Sequence, residues 1–178
     1  MTTKSKGRIR HFAFSVADPW ETAEFYKDVM GLEEVSELDG PLAEGIFLTD
    51  GVVNLALLHF KDDEAAQGMG KDFVGLHHIG FWVDDVIASS QQAVAAGAQW
   101  MMGDPSNPHG YEVKHTDLSG IIFDVAAHGW AGAQKDPGQE GNEVHPNPHR
   151  RLAKFDERRE AARRAHEARK VRVPVPAE

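Results

Sequence analysis

One pattern occurs twice in this chain, and it limits the available folds more than any other feature. Residues 11–18 read His-Phe-Ala-Phe-Ser-Val-Ala-Asp and residues 78–85 read His-Ile-Gly-Phe-Trp-Val-Asp-Asp, an offset of 67 residues. Both copies fit His, apolar, small, Phe, any residue, Val, any residue, Asp. Self-similarity at a fixed offset marks one structural unit used twice.

The residues after each copy also match. Asp18 suits a helix N-cap, Pro19 the first turn and Glu21 a capping box. Thr22, Phe25, Tyr26, Val29 and Met30 then recur at helical spacing, and Gly31 supplies a left-handed end. In the second copy Asp85 caps a helix over residues 86–96, and Gly97 ends it. Strand-like segments come next at Glu33–Glu37, Gly45–Thr49 and Val52–His59, and again at Gln99–Gly103, Tyr111–Thr116 and Ile121–Ala126. Turn signals such as Asp50-Gly51 and Asp117-Leu118-Ser119-Gly120 separate them. Each copy reads strand, helix, three strands. The expected class is α+β, two βαβββ modules at about 8–60 and 75–127 inside a domain of residues 1–130. Residues 131–178 read as an irregular segment leading to a helical tail, helical from about 149 to 170 by propensity.

Alternation along a strand sorts the side chains into two faces. Phe12, Phe14 and Val16 form the face expected beneath the helix, as do Ile79, Phe81 and Val83. The opposite face carries His11, Ala13 and Ser15 in one copy and His78, Gly80 and Trp82 in the other. A histidine next to a small residue leaves room for a cavity. Ser15 and Trp82 share that face and are candidate substrate contacts, and Trp82 points to an apolar or aromatic substrate. His77 is expected on the other face, which leaves His78 as the ligand. Asp124 sits within the apolar strand Ile121-Ile122-Phe123-Asp124-Val125-Ala126, where its charge needs compensation. Two imidazoles and one carboxylate make a site for Fe(II), Mn(II), Ni(II) or Zn(II). The expected ligands are His11, His78 and Asp124, around one divalent metal.

Composition narrows the chemistry further. The chain lacks cysteine, which excludes disulfides, zinc–thiolate sites and cysteine nucleophiles. Residues 149–178 hold ten Lys/Arg against five Asp/Glu, while the preceding 148 hold nine against 23. An acidic body argues against a nucleic-acid partner. The basic tail is expected against its own acidic domain or a partner subunit. Apolar runs fall short of the roughly 20 residues of a membrane helix, and the basic start has no apolar segment behind it. The chain reads as cytoplasmic and not membrane-bound.

At these residues the sequence resembles the vicinal oxygen chelate superfamily, which includes glyoxalase I, extradiol dioxygenases, methylmalonyl-CoA epimerase and fosfomycin and bleomycin resistance proteins. The resemblance spans roughly residues 8–127. It rests on His11-Phe-Ala-Phe-Ser-Val, Phe25-Tyr-Lys-Asp-Val-Met-Gly31-Leu, His78-Ile-Gly-Phe-Trp-Val-Asp and Asp117-Leu-Ser-Gly120-Ile-Ile-Phe-Asp124-Val. It implies an open mixed-sheet half-barrel around a metal held by His11, His78 and Asp124, with Asp124 standing where the family usually has Glu. It makes Asn54 a fourth position near the metal or substrate. Asn54 cannot act as the base that glyoxalase I has there. Lys114 stands where extradiol enzymes place a tyrosine, and is a candidate for steering an anionic substrate or shuttling a proton. The reading is a divalent-metal enzyme for a small oxygen-chelating substrate, leaning to an Fe(II) dioxygenase. A glyoxalase- or epimerase-like lyase or isomerase is the alternative, and a non-catalytic binding protein of the bleomycin-resistance kind is the other class. The resemblance also implies a homodimer.

Overall fold

The computed structural model describes residues 6–107, 112–134 and 150–170. Strand β1 (Arg8–Ser15) leads into helix α1 (Pro19–Met30), then β2 (Glu33–Asp39), β3 (Ala43–Thr49) and β4 (Asn54–Phe60). The second module repeats this as β5 (Gly75–Trp82), α2 (Val86–Ala95), β6 (Gln99–Met102), β7 (Val113–Thr116) and β8 (Ile122–Ala126). A 3₁₀ turn (Ala153–Phe155) and helix α3 (Asp156–Lys170) complete the order. Asp18 caps α1 through its side chain, accepting from Trp20 N and Glu21 N, and Gly31 closes the helix at φ 70°. Asp85 caps α2 through Ala88 N. Asp18, Gly31 and Asp85 thus act at their expected positions, while Glu21 pairs with Arg169 and α2 has its C-cap at Ala96, one residue before Gly97.

All eight strands form one sheet in the order β2-β3-β4-β1-β5-β8-β7-β6. Within each module the first strand runs parallel to the last, β1 with β4 and β5 with β8. The modules meet where β1 and β5 pair antiparallel. Phe14 and Val16 pack beneath α1 with Trp20, Ala23, Ile46, Leu48 and Leu57. Ala13 joins Ala43, Ala56, Leu58 and Phe60 on the opposite face.

The central pairing explains the repeated motif. His11 lies across from Gly80, and His78 lies across from Ala13. The small residue of each copy therefore stands opposite the histidine of the other. A Cβ added at Gly80 would lie 2.8 Å from His11 Cβ, 2.8 Å from Trp130 Cζ2 and 2.9 Å from Asp124 Oδ1. Glycine alone fits there without displacing a neighbour.

The basic tail lies on the chain's own acidic first module. Phe155 packs against Trp20 with ring centroids 4.4 Å apart, and Ala162 is buried beside them. Glu37, buried in β2, accepts hydrogen bonds from Trp20 Nε1 (2.8 Å) and Leu152 N (2.6 Å) and pairs with Arg159. Arg151–Glu34, Arg158–Glu44, Arg169–Glu21 and Lys170–Asp28 extend the seam. The packed unit continues past residue 130: Gln134 N donates to Val52 O, and Thr49 Oγ1 donates to Gly132 O. The expected irregular stretch from 135 to 149 falls outside the described residues.

Candidate metal centre

His11 on β1, His78 on β5 and Asp124 on β8 converge at the junction of the two modules, all buried. One donor atom of each lies within 4.8 Å of the others. His11 Nε2 is 3.2 Å from His78 Nε2, and His78 Nε2 is 3.4 Å from Asp124 Oδ2. Two ligands at about 2.1 Å from one ion, roughly 100° apart, sit about 3.2 Å from each other. The cluster has the dimensions of a metal shell.

The surrounding hydrogen bonds fix which ring nitrogens are bare. Asn54 Nδ2 donates to Ala131 O at 2.7 Å, so Asn54 Oδ1 faces His11 Nδ1 at 2.9 Å and accepts its proton. His77 Nε2 lies 3.2 Å from Ala66 O, which can only accept. The proton on His77 is then on Nε2, and its Nδ1 accepts from His78 Nδ1 at 2.8 Å. His11 and His78 both carry their protons on Nδ1, an assignment that rests on this network. Their two Nε2 lone pairs point at each other across 3.2 Å. A cation between them would satisfy both lone pairs.

Burial keeps the imidazoles neutral, the form that binds metal. It lowers His11 to about 4 and His77 to about 4, and holds His78 well below its ordinary value, with the Lys114 cation adding to the effect. Burial, with the neighbouring Glu112 carboxylate, raises Asp124 to about 8. Lys114 Nζ sits 3.1 Å from Asp124 Oδ2 and 2.9 Å from Glu112 Oε2. Burial opposes the Lys114 charge, but the two carboxylates outweigh it and raise its pKa. Glu112 and Asp124 share this single ammonium. Burial raises the pKa of Glu112, but Lys114 and His11, together with Trp130, overcome this and bring it to about 2. Asp124 Oδ1 is buried without a hydrogen-bond partner. A divalent ion beside it would supply the missing charge. The residues present fit a metal.

A cavity of about 250 Å³ opens beside the cluster. His11, His78, Lys114 and Asn54 line it. Asn54 touches His11 Nδ1, the nitrogen turned away from His78, so it orients that ring from behind and does not join the cluster. Register explains why. Asp124 pairs with Gly80, while the residue paired with Ala13, its counterpart in the other module, is Ala56. The first module thus places a methyl group where the second places a carboxylate. Ser15 and Trp82 do not reach the cavity. Ser15 lies four residues along β1 from His11 and borders a separate cleft with Asp18 and Thr22. Trp82 is buried with Ala126, Trp130 and Ala133, its Nε1 donating to Ala127 O. Both are on the expected face, but the segment after β8 folds over Trp82 and separates it from the cavity.

His77 corrects a second expectation. It is the extra residue in a bulge, because His78 pairs with Ala13 and Leu76 with Phe14. The bulge breaks strict alternation and turns His77 to the cavity, where it stacks on Phe60 at 4.4 Å. Two more site residues carry no periodic signal. Trp130 stacks on His11 at 4.9 Å and 3°, and donates from Nε1 to Glu112 Oε1 at 2.9 Å. A tryptophan inside a Gly-rich stretch was the one available hint. Glu112 precedes β7 and had none.

A two-module sheet with buried histidines at equivalent positions beside an acid on the last strand defines a paired βαβββ fold with a cluster able to hold a metal. Residues 8–125 match the family model described as the Glyoxalase/Bleomycin resistance protein/Dioxygenase superfamily. The chain belongs to this superfamily. A hypothetical protein from Bacillus halodurans superposes with TM-score 0.57 at 18% identity, covering 74% of this chain and 96% of that one. A methylmalonyl-CoA epimerase variant from Streptomyces coelicolor, in complex with 2-nitronate-propionyl-CoA, gives TM-score 0.56 at 22% identity over 66% and 94%. Methylmalonyl-CoA epimerase from Mycobacterium tuberculosis gives 0.56 at 18% over 71% and 90%. These similarities show a shared fold. No curated protein matches the sequence.

Proposed function

We propose that this protein is a divalent-metal-dependent enzyme for a small oxygen-chelating substrate, with His11, His78 and Asp124 as metal ligands. The observation that carries this reading is the pair of Nε2 atoms 3.2 Å apart, which the hydrogen-bond network leaves without protons, beside a buried aspartate that shares one ammonium with Glu112. A non-catalytic binding protein would leave that arrangement without a purpose. Of the metals such ligands suit, Fe(II) is favoured over Mn(II), Ni(II) or Zn(II). The Ala56 methyl group in the fourth position supports this choice, since three protein ligands leave a bidentate substrate and one further ligand room to bind. A bound Fe(II) would supply Lewis acidity and one-electron chemistry, which makes the favoured class an oxidoreductase of the dioxygenase type.

The chain's own residues have distinct tasks in this reading. Lys114 commits two of its three N–H groups to Asp124 and Glu112 and offers the third to a substrate anion. Asn54 and His77 hold the imidazoles in the binding tautomer. Trp130 covers His11 from water. One observation favours a lyase or isomerase instead: Glu112 puts a second carboxylate on the cavity wall, where it could move a proton at carbon.

Anaerobic loading with Fe(II), then oxygen uptake and deuterium exchange at substrate carbon, separates the two reactions. Oxygen uptake that survives Glu112→Gln supports the dioxygenase. Exchange without oxygen uptake, lost in that variant, supports the isomerase. Protein purified without chelator that holds no stoichiometric divalent metal removes both. The same reading places the protein in the cytoplasm as a homodimer. Exposed Trp100, Leu118 and Ile121 on the second module supply apolar surface for a partner copy, and sedimentation velocity checks the mass.

A further inference from the structure

The cavity has two unlike ends. At one end lie the Nε2 atoms of His11 and His78 and the Lys114 ammonium. Most of the rest is apolar, walled by Leu38, Phe47, Ala56, Leu58 and Phe60, with Ser36 and Gln67 as its polar members. The exposed Pro41 and Leu42 of the β2–β3 turn line it on the solvent side, and this edge is taken as its mouth. At about 250 Å³ it falls just below the roughly 300–1,000 Å³ of ordinary ligand pockets. It suits a compact molecule with one polar end.

A ligand delivered on coenzyme A or another nucleotide brings phosphates, and phosphates are held by Arg, Lys or helix N-termini. Among the described residues lining the cavity, Lys114 is the only Lys or Arg, and it lies at the buried end. The cations beside the mouth are already engaged. Lys61 pairs with Asp39 and donates to Gly40 O, and Lys154 pairs with Asp39. Among the described residues, the cations at the mouth are paired with Asp39 and leave no cradle for a phosphate.

The polar end also constrains the head group. Two carboxylates, one ammonium and a divalent ion sum to a single positive charge, which favours a monoanion. Glu112 has both oxygens committed, to Trp130 and to Lys114. His77 has both ring nitrogens committed. The third N–H of Lys114 is left for an anionic head. A carboxylate arrives already ionised.

We infer that the substrate is a small free carboxylate bearing a neighbouring oxygen, with a compact alkyl or aryl body seated between Leu38, Phe47, Leu58 and Phe60, and with no nucleotide handle. This rests on the metal-enzyme reading. The oxygens of the head face the ion and the third N–H of Lys114. The body displaces water from the apolar wall, so affinity rises with its buried area.

The test is titration calorimetry on the full chain loaded with Zn(II), a redox-silent ion that reports binding without turnover. The probes are phenylpyruvate, pyruvate, catechol and propionyl-CoA, and metal content is measured first. Phenylpyruvate is expected to bind at least about tenfold more tightly than pyruvate, the gain from burying its ring, and more tightly than catechol or propionyl-CoA. Ala56→Phe, which fills the wall, should remove the gap between phenylpyruvate and pyruvate. Leu58→Ser makes the same test if that variant does not fold. Equal binding of the two oxo acids overturns the apolar seat. Tighter catechol binding overturns the carboxylate head, and tighter propionyl-CoA binding overturns the missing handle. In those cases a metal-loaded protein leaves the enzyme reading standing, whereas failure to take up metal removes both.

Discussion

Gly80 has no side chain, yet the site depends on it. It faces His11 across the module junction and lies beside Asp124. Gly80→Ala would press a methyl group against His11, Trp130 and Asp124 Oδ1. The variant is expected to fold, because the contacts are with side chains, and to lose most of its divalent metal by elemental analysis. Full metal content in a folded Gly80→Ala protein would place the ion elsewhere. His77 tests the hydrogen-bond chain. Partners that orient a ligand histidine are typically worth about 10–100-fold in metal affinity. His77→Ala should weaken Zn(II) binding within that range in a competition titration. His77→Asn, whose side-chain oxygen can accept from His78 Nδ1, should recover much of the loss. Equal weakening in both variants would mean that His77 only fills space. His11, His78 and Asp124 were legible in the sequence because a strand repeat preserves facing and an acid inside an apolar strand stands out. His77 was not legible, because a bulge breaks the two-residue period without marking the sequence.

The elements show a similar division. Helix and strand positions came from caps, glycines and alternation, since these signals are local. For α3 the charge asymmetry left its own acidic domain and a partner subunit both open, since docking depends on surfaces far apart in sequence. Phe155 and the arginines of α3 identify it as amphipathic and basic, but nothing local reveals that Glu37 will be buried beneath it. In the structure Glu37 receives Trp20, Leu152 and Arg159 together. Glu37→Ala removes one member of a buried ion pair and orphans two donors, a change that costs about 3–5 kcal/mol. Urea unfolding should show that loss. Amide exchange should accelerate in α3 and α1, while the metal site, on strands β1, β5 and β8, keeps its occupancy. Unchanged exchange in α3 would show that Phe155 and Ala162 hold the helix without the buried pair.

At the scale of the whole molecule, the site couples stability to pH, with a sign that depends on metal. In the metal-free chain, burial lowers His11 and His77 to about 4 and holds His78 well below its ordinary value. Below about 6.5 the unfolded chain binds these protons and the folded one does not, so stability falls as pH drops from 6.5 toward 4. Asp124 works in the opposite direction. Its folded value of about 8 lies above its ordinary 3.8, so the folded chain keeps a proton that the unfolded chain releases. Its contribution is present at low pH and is lost as pH rises toward 8. Below about 6.5 three histidines outweigh one aspartate, and above it the aspartate acts alone. The chelated protein should therefore be most stable near about pH 6.5 and lose stability toward pH 8. Metal reverses the alkaline limb. It binds ionised Asp124 and neutral imidazoles, so the stabilisation from a fixed metal concentration grows from about pH 6 to 8. Urea melts of chelated and Zn(II)-loaded protein at about pH 6, 7 and 8 measure both slopes. A chelated protein that becomes more stable from about pH 6.5 to 8 would show that Asp124 is already ionised without metal, held by Lys114 alone.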